Sequence, residues 1–270
     1  MSKDTKDSFG DRMKMYEGIE ASRILIPGLP ICVRLDGRAF HTFTRGLNRP
    51  YDERLSRMMI ETTKRLVEDT HALIGYTQSD EISLIYAPAT SSEELLFGGR
   101  VSKLTSTLAS IATAYFNEMR HELLPKKGIA TFDCRVWSVP SKEEAVNSIL
   151  WREQDATKNS ISMAASAYYS HKQLQGKNSS EKQELLFQKG INFNDYPVFF
   201  KRGSYVKRVV STRKLTITEL ETLPAKHKAR MNPELEFTRS CVTEIDMPIF
   251  GKVINRVGVV FDNEAPIVKE

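Results

Sequence analysis

The first 140 residues keep changing hydropathy period, and that switching limits the folds open to the chain. In "ICVRLDG", Ile31, Val33 and Leu35 alternate with Cys32 and Arg34, a period of two that marks a strand. On either side the period is helical. Residues 9–21 carry a mixed-charge amphipathic pattern, and "IPGLP" ends it because each proline restricts its own φ and the residue before it. Leu55, Met58, Met59, Thr62 and Leu66 recur at helical spacing over 51–67, and Val101, Leu104, Leu108, Ile111, Ala112 and Tyr115 do so over 98–120. "ALIGYTQSDEISLIYAP" predicts two short strands with turn chemistry at 77–80, and "GIATFDCRVWSVPS" predicts another strand. The order helix–strand–helix–hairpin–helix–strand implies an α+β fold.

Beyond residue 140 the signals are shorter. Ser141, with Glu144 three residues on, predicts the start of a helix over 141–151, and a second helix rich in small residues follows over 155–170. A short helix is expected at 182–187, and "VFFKRGSYVKRVV" reads as a strand pair around Gly203. Residues 222–240 read as a polar, basic, mobile connection. The chain of 270 residues is long enough for two parts sharing an interface, 1–140 and 141–270.

Composition narrows the partners. A formal charge of +5 and a pI near 9.0 favour a polyanion. Cys32, Cys134 and Cys241 are far apart with no CxxC pair, so a cysteine zinc site is not expected, and all three read as small core residues in a reducing compartment. The charged start has no apolar centre, so it is not a signal peptide, and no run approaches the ~18 apolar residues of a membrane span. A cytoplasmic location is expected. His71, His121, His171 and His227 have no ligand-like spacing.

The chemistry concentrates in four places. Asp36 ends one predicted strand, and Asp80 and Glu81 precede another. If those strands pair antiparallel, the carboxylates meet, and like charges about 4 Å apart repel by several kcal/mol unless cations neutralise them. A pair of Mg²⁺ ions bridged by aspartates is the arrangement used in phosphoryl-transfer sites. Gly37 suits it, because a missing Cβ lets backbone approach a metal or phosphate. By spacing alone, Asp36-Gly37 reads first as a plain turn and Ser79-Asp80 as a helix or turn cap, and it is the nearby cations that shift the balance. Arg34, Arg38, His41, Arg45 and Arg49 crowd the same stretch, and Arg100 and Lys103 share one helix face. Such cations suit a triphosphate, although a solvated face accounts for Arg45 and Arg57. In "WREQDATKNSISM", Asp155, Lys158, Asn159 and Ser162 line one face of a helix that Trp151 and Met163 mark as half-buried. "FFKRGSYVKR" gathers four cations among aromatics, which fits either an RNA-contacting hairpin or a protected edge strand.

Taken together, "CVRLDGRAFHTF", "YTQSDEISLIY", the Arg100/Lys103 helix, "FDCRV", "WREQDATKNS", "LQG…EKQELLF" and "FFKRG" resemble the tRNA-His guanylyltransferase superfamily over about residues 8–205. The opening "FGDRMKMYE" is most similar to its bacterial, archaeal and phage Thg1-like branch, while the last 65 residues carry little signal. The resemblance implies a polymerase-palm-like (ferredoxin-like) antiparallel sheet with helices in 1–140, and a C-terminal α/β extension in 141–270 for RNA or nucleotide contact and oligomerisation. It implies 3′–5′ transfer of nucleotides to the 5′ end of tRNA after activation by ATP or GTP, and a homotetramer. Asp36, the Gly37 carbonyl and Asp80 would hold two Mg²⁺ ions, with Glu81 supporting them. Gly37, Arg38, Ala39, Phe40, His41, Arg49, Ser79, Arg100 and Lys103 would line nucleotide and phosphate sites. Asp155, Lys158, Asn159, Lys182, Lys201 and Arg202 would handle the RNA 5′ end and its phosphates.

Eukaryotic members carry a His-Ile-Asn-Asn-Leu-Tyr-Asn run where this chain has "TKNSISM", with Thr157 in place of the histidine. That departure points to template-dependent repair of truncated 5′ ends over strict addition of one G to tRNA-His. The alternatives are that strict guanylyltransferase, a nucleotidyl cyclase on the same palm, and an RNA-binding protein without catalysis.

Overall fold

The computed structural model describes residues 8–91, 94–232 and 234–269. The alternating segment forms strand β1 (Ile31–Gly37), preceded by helix α1 (Ser8–Ala21) and followed by the one-turn helix α2 (Phe40–Phe43). Helix α3 (Glu53–Thr70) begins at Asp52, whose side chain accepts from the Arg54 N–H and so satisfies an end donor of the helix. The predicted hairpin is β2 (Ile74–Gln78) and β3 (Glu81–Tyr86). Helix α4 (Val101–Leu123) and strand β4 (Phe132–Ser138) complete the first part.

The later elements are α5 (Lys142–Ser166), α6 (His171–Leu174), α7 (Ser179–Gln188), α8 (Val198–Arg202), β5 (Ser204–Lys214), α9 (Ile217–Thr222), α10 (Lys228–Met231), β6 (Glu236–Ile245) and α11 (Arg256–Phe261). The six strands form one antiparallel sheet in the order β4-β1-β3-β2-β5-β6, so one sheet draws strands from both sides of residue 140. The fold is α+β.

Three expectations need correction. The helices read at 141–151 and 155–170 are one helix of 25 residues, since nothing between them breaks the backbone. Residues 198–202 are a helix, not a strand, and Gly203 (φ 80°) ends it where a Cβ would strike the Thr77 carbonyl and the Tyr76 ring. Part of the supposed mobile connection is β6, a charged edge strand paired with β5 from Tyr205↔Ile245 to Lys214↔Glu236, and Cys241 is exposed on it.

The pleat sorts each strand's side chains onto two faces. Val33, Leu35, Ile82 and Leu84 pack against α3 and α4. Cys32, Ile74, Tyr76, Ile85 and Tyr205 face α5 and a cover made by Met247, Phe250, Val253, Val259 and Val260. Arg34 and Asp36 alternate with the first set, so they lie on the α5 side. A third cluster joins the second half of α5 to α6, α7 and α8 through Ile161, Ala164, Leu174, Leu186 and Phe200.

Glu153 of α5 is buried in the second core at 3% exposure. It accepts from the Tyr205 hydroxyl at 2.7 Å and the Phe250 N–H at 2.9 Å. Burial pushes its carboxyl up, against those two hydrogen bonds. A raised acid favours the protonated fold, so this contribution is full below the ordinary glutamate range near pH ~4 and is lost as pH rises through the raised folded value. The Tm of Glu153→Gln, followed by circular dichroism, should therefore gain on that of the unaltered protein as pH rises. Glu153→Ala should cost about 1–3 kcal/mol, because it orphans the Tyr205 O–H and the Phe250 N–H.

Candidate active site

Antiparallel pairing of β1 with β3 sets Asp36 opposite Glu81, and the Gly37 N–H donates to the Asp80 carbonyl at 3.0 Å. The tight turn between β2 and β3 thus brings Asp80 to the end of β1. Ser79 supports that turn with φ 55°, and its hydroxyl donates to Asp80 Oδ1 at 2.9 Å. Burial pushes the Asp80 carboxyl up, and the charges of Asp36 and Glu81 add to the effect while Ser79 opposes it. No Lys, Arg or His pairs with Asp80 among the described residues.

Glu81 is held differently. Arg34 bridges Asp36 (Nη2–Oδ2 3.0 Å) and Glu81, and Arg152 of α5 grips the other Glu81 oxygen while also facing Asp155 at 3.6 Å. The sequence reads Arg34 as one of the cations suited to a triphosphate, whereas the structure spends it on Asp36 and Glu81, and the sequence gives Arg152 no role. The period-2 pattern does place Arg34 on the Asp36 face, but nothing local links Arg152 to Glu81, 71 residues away. On the other flank, Asp133 of β4 stands opposite Asp36.

No group of three or more His, Cys, Asp or Glu side chains suited to a metal occurs among the described residues. The set at hand is two carboxylates and a backbone carbonyl, all hard oxygen donors, with Asp80 lacking a protein cation. That fits Mg²⁺, which takes one or two carboxylates and keeps several waters.

A cavity of about 720 Å³ opens beside Asp80. Its lining includes Gly37, Ala39, His41, Arg49, Ser79 and Asp80 together with the apolar groups of Leu55, Tyr51, Met163, Phe199 and Phe200. Arg45, expected to be merely solvated, also lines it. Ala39 has φ 57° and opens α2, and the N–H groups of Ala39, Phe40 and His41 have no acceptor among the described residues. Phe40 itself is buried against Phe43, Phe116 and Phe132 with centroids 4.9–5.5 Å apart. A Cβ on Gly37 would overlap the Phe40 ring, so the packing of that ring itself calls for glycine here. Gly37→Ala should cost about 1–3 kcal/mol in urea unfolding.

A second cavity, about 380 Å³, shares Asp80 and adds Glu81, Arg152, Asn159 and Ser162. Asn159 donates to Asp155 at 3.2 Å. Lys182 donates to Ser162 at 3.0 Å and lines a third cavity of about 410 Å³ with His171. Lys158 is exposed on the same helix.

Other expected residues are not brought together here. Arg38 is exposed, with its N–H on the Thr131 carbonyl at 2.9 Å. Arg100 and Lys103 start α4, whose Thr113 meets the Phe132 N–H at the site end of the sheet. Thirteen residues of helix place Arg100 about 20 Å from there. Lys201 is spent on the Asn194 carbonyl. Arg202 lines a separate cavity of about 310 Å³ with Glu153 and Tyr205. The expected basic hairpin at 199–208 is therefore a helix end followed by a strand.

Residues 10–140 match the family model described as tRNAHis guanylyltransferase, and residues 146–248 match that of the Thg1 C terminal domain. The tRNA(His) guanylyltransferase of Saccharomyces cerevisiae is 30% identical over 70% of this chain and 86% of its own length. An uncharacterised protein of Acanthamoeba polyphaga mimivirus is 31% identical over 75% and 77%. A bacterial tRNA(His) guanylyltransferase (Thg1)-like protein, solved in complex with ATP, superposes with a TM-score of 0.75 at 35% identity over 94% of this chain and 99% of that one. A solved complex of a bacterial Thg1-like protein with GTP gives 0.69 at 34% identity, covering 91% and 95%. With its paired acids at the end of an antiparallel sheet and both family models in sequence, the chain belongs to the tRNA(His) guanylyltransferase family.

Proposed function

We propose that this chain is a 3′–5′ nucleotidyltransferase that extends the 5′ end of truncated tRNA by template-dependent addition. The observation that carries the reading is that the turn after β2 sets Asp80 against the end of β1, where its carboxyl feels the charge of Asp36, 44 residues away in sequence, and that Asp80 lines a 720 Å³ cavity with His41 and Arg49. Relatives solved with ATP and with GTP support both nucleotides as substrates.

A 5′-monophosphate is a poor electrophile because its leaving group would be oxide or hydroxide. Transfer of AMP from ATP, with release of pyrophosphate, converts it to an anhydride. The 3′-oxygen of the incoming nucleotide then bonds to the RNA phosphorus, its proton passes to solvent, and AMP leaves. Asp36, the Gly37 carbonyl and Asp80 would hold two Mg²⁺ ions, which when bound acidify an attacking hydroxyl and neutralise departing charge. Glu81, clamped by Arg34 and Arg152, fixes the Asp36 side of the site. Arg49, His41 and the N–H groups of Ala39 and Phe40 bind phosphate oxygens. Asn159, Lys158 and Lys182 receive the RNA 5′ end along α5, with Asp155 orienting Asn159. Arg100 and Lys103 lie too far along α4 to touch the same nucleotide within one chain.

Thr157 favours repair over strict G addition. Its hydroxyl donates to the Glu153 carbonyl of its own helix at 3.0 Å, so no imidazole stands where eukaryotic members carry histidine. The reading includes a cytoplasmic homotetramer. The test is incubation with Mg²⁺, labelled ATP, GTP and a 5′-monophosphorylated tRNA lacking its first nucleotide. Templated extension is expected. A cyclic nucleotide product, or binding without turnover, would overturn it.

A further inference from the structure

Trp151 is 59% exposed, on a helix that the sequence marks as half-buried. A single exposed apolar side chain is ordinary, so what sets this one apart is how its ring is held. One face is covered: the Arg152 guanidinium lies 4.7 Å from the ring centroid. Arg152 is itself only 12% exposed and is fixed by Glu81 and by Asp155 at 3.6 Å. The ring is therefore held rigid with its second face open, and an aromatic fixed before binding loses little entropy on contact.

We propose that Trp151 is a stacking platform for an unpaired base of the RNA, distinct from the nucleotide being added. The proposal rests on the reading that this chain acts on RNA. Lys158 and Ser162 follow Trp151 on one stripe of α5, about 10 Å and 16 Å along the axis. Lys182 joins that stripe through Ser162 at 3.0 Å, and Ser162 lines the cavity shared with Asp80. The stripe also holds one acid, Asp155, between Trp151 and Lys158, and that acid is already engaged by Arg152 and Asn159. A stripe with one open aromatic and two ammonium groups matches a single strand, whose bases stack and whose phosphates are anionic. One turn to either side on the helix stand Asn147, Ser148, Gln154 and Asp155, all polar, so α5 offers no apolar patch there for a second copy of the chain.

The experiment compares Trp151→Ala and Trp151→Phe with the unaltered enzyme on the truncated 5′-monophosphorylated tRNA. Trp151→Ala should raise KM for the tRNA about 10- to 100-fold and leave KM for GTP within about twofold, as loss of one stacked base predicts. Trp151→Phe keeps an aromatic face and should restore most of the tRNA affinity. In the unaltered enzyme, indole emission should fall on adding tRNA but not on adding GTP and Mg²⁺, and this quench should vanish in Trp151→Phe. An unchanged tRNA KM in Trp151→Ala, or a change confined to sedimentation, overturns the proposal and leaves the functional reading standing. Failure of the unaltered enzyme to bind or extend the tRNA overturns both.

Discussion

Asp36→Ala and Asp80→Asn are each expected to lose nucleotide addition by about 10³-fold or more while remaining folded. Both proposed steps displace a group at phosphorus, and both would use the same two carboxylates. Removing several kcal/mol of charge stabilisation from a transition state corresponds to a loss of that size. The fold should survive, because the Asp36 side chain is already 28% exposed and Arg34 keeps its bond to Glu81 without it. A second readout separates metal binding from turnover. Mg²⁺ with GTP should raise the Tm of the unaltered protein, by about 2.7 kcal/mol of added stability at a hundredfold excess over Kd, and should leave both variants unmoved. Turnover by purified Asp36→Ala, or an equal metal-dependent Tm shift in all three proteins, would remove the assignment.

Deleting residues 249–270 is expected to prevent folding altogether. That segment supplies Phe250 and Val253, both 0% exposed, and Val259 and Val260 at 2% and 1%. Each buried side chain of this kind is worth about 1.5–3 kcal/mol, so the four together approach the ~5–15 kcal/mol that holds a domain folded. The deletion also strips two buried polar groups of their partners: Lys207 donates to the Val259 carbonyl, and Glu153 accepts from the Phe250 N–H. Phe250→Ala isolates the packing part and should cost about 3–5 kcal/mol in urea unfolding. Sharp native urea transitions in the truncated protein would contradict this account of the second face.

The sequence was legible where local physics decides. Ser141 does accept from the Glu144 N–H, and the alternation in "ICVRLDG" does place Asp36 at the end of a strand. Helix α7 begins at the Asn178 capping box, close to its expected position. Local reading failed where distant segments decide. Strand β6 has no apolar alternation, because its partner β5 supplies the hydrogen bonds and both faces meet water. "VFFKR" has a strand-like composition, yet the third cluster draws Phe200 into a helical turn between Pro197 and Gly203. Arg100 and Lys103 share a helix face as spacing requires, but which end of a 23-residue helix meets the carboxylates is a matter of sheet topology. The last 65 residues looked blank because covering a sheet demands apolar volume and no motif.

Strand β5 pairs with β2 at Tyr76↔Tyr205 and Thr77↔Ser204, beside the turn that carries Asp80. A chain leaving the ribosome therefore exposes the Asp80 turn with one flank of its strand unsatisfied until residues past 204 emerge. The far face stays bare until residue 260. Vectorial synthesis cannot deliver a working catalytic centre early, and a nascent polypeptide halted before its final turn of helix would offer chaperones an open sheet with its acids already in place.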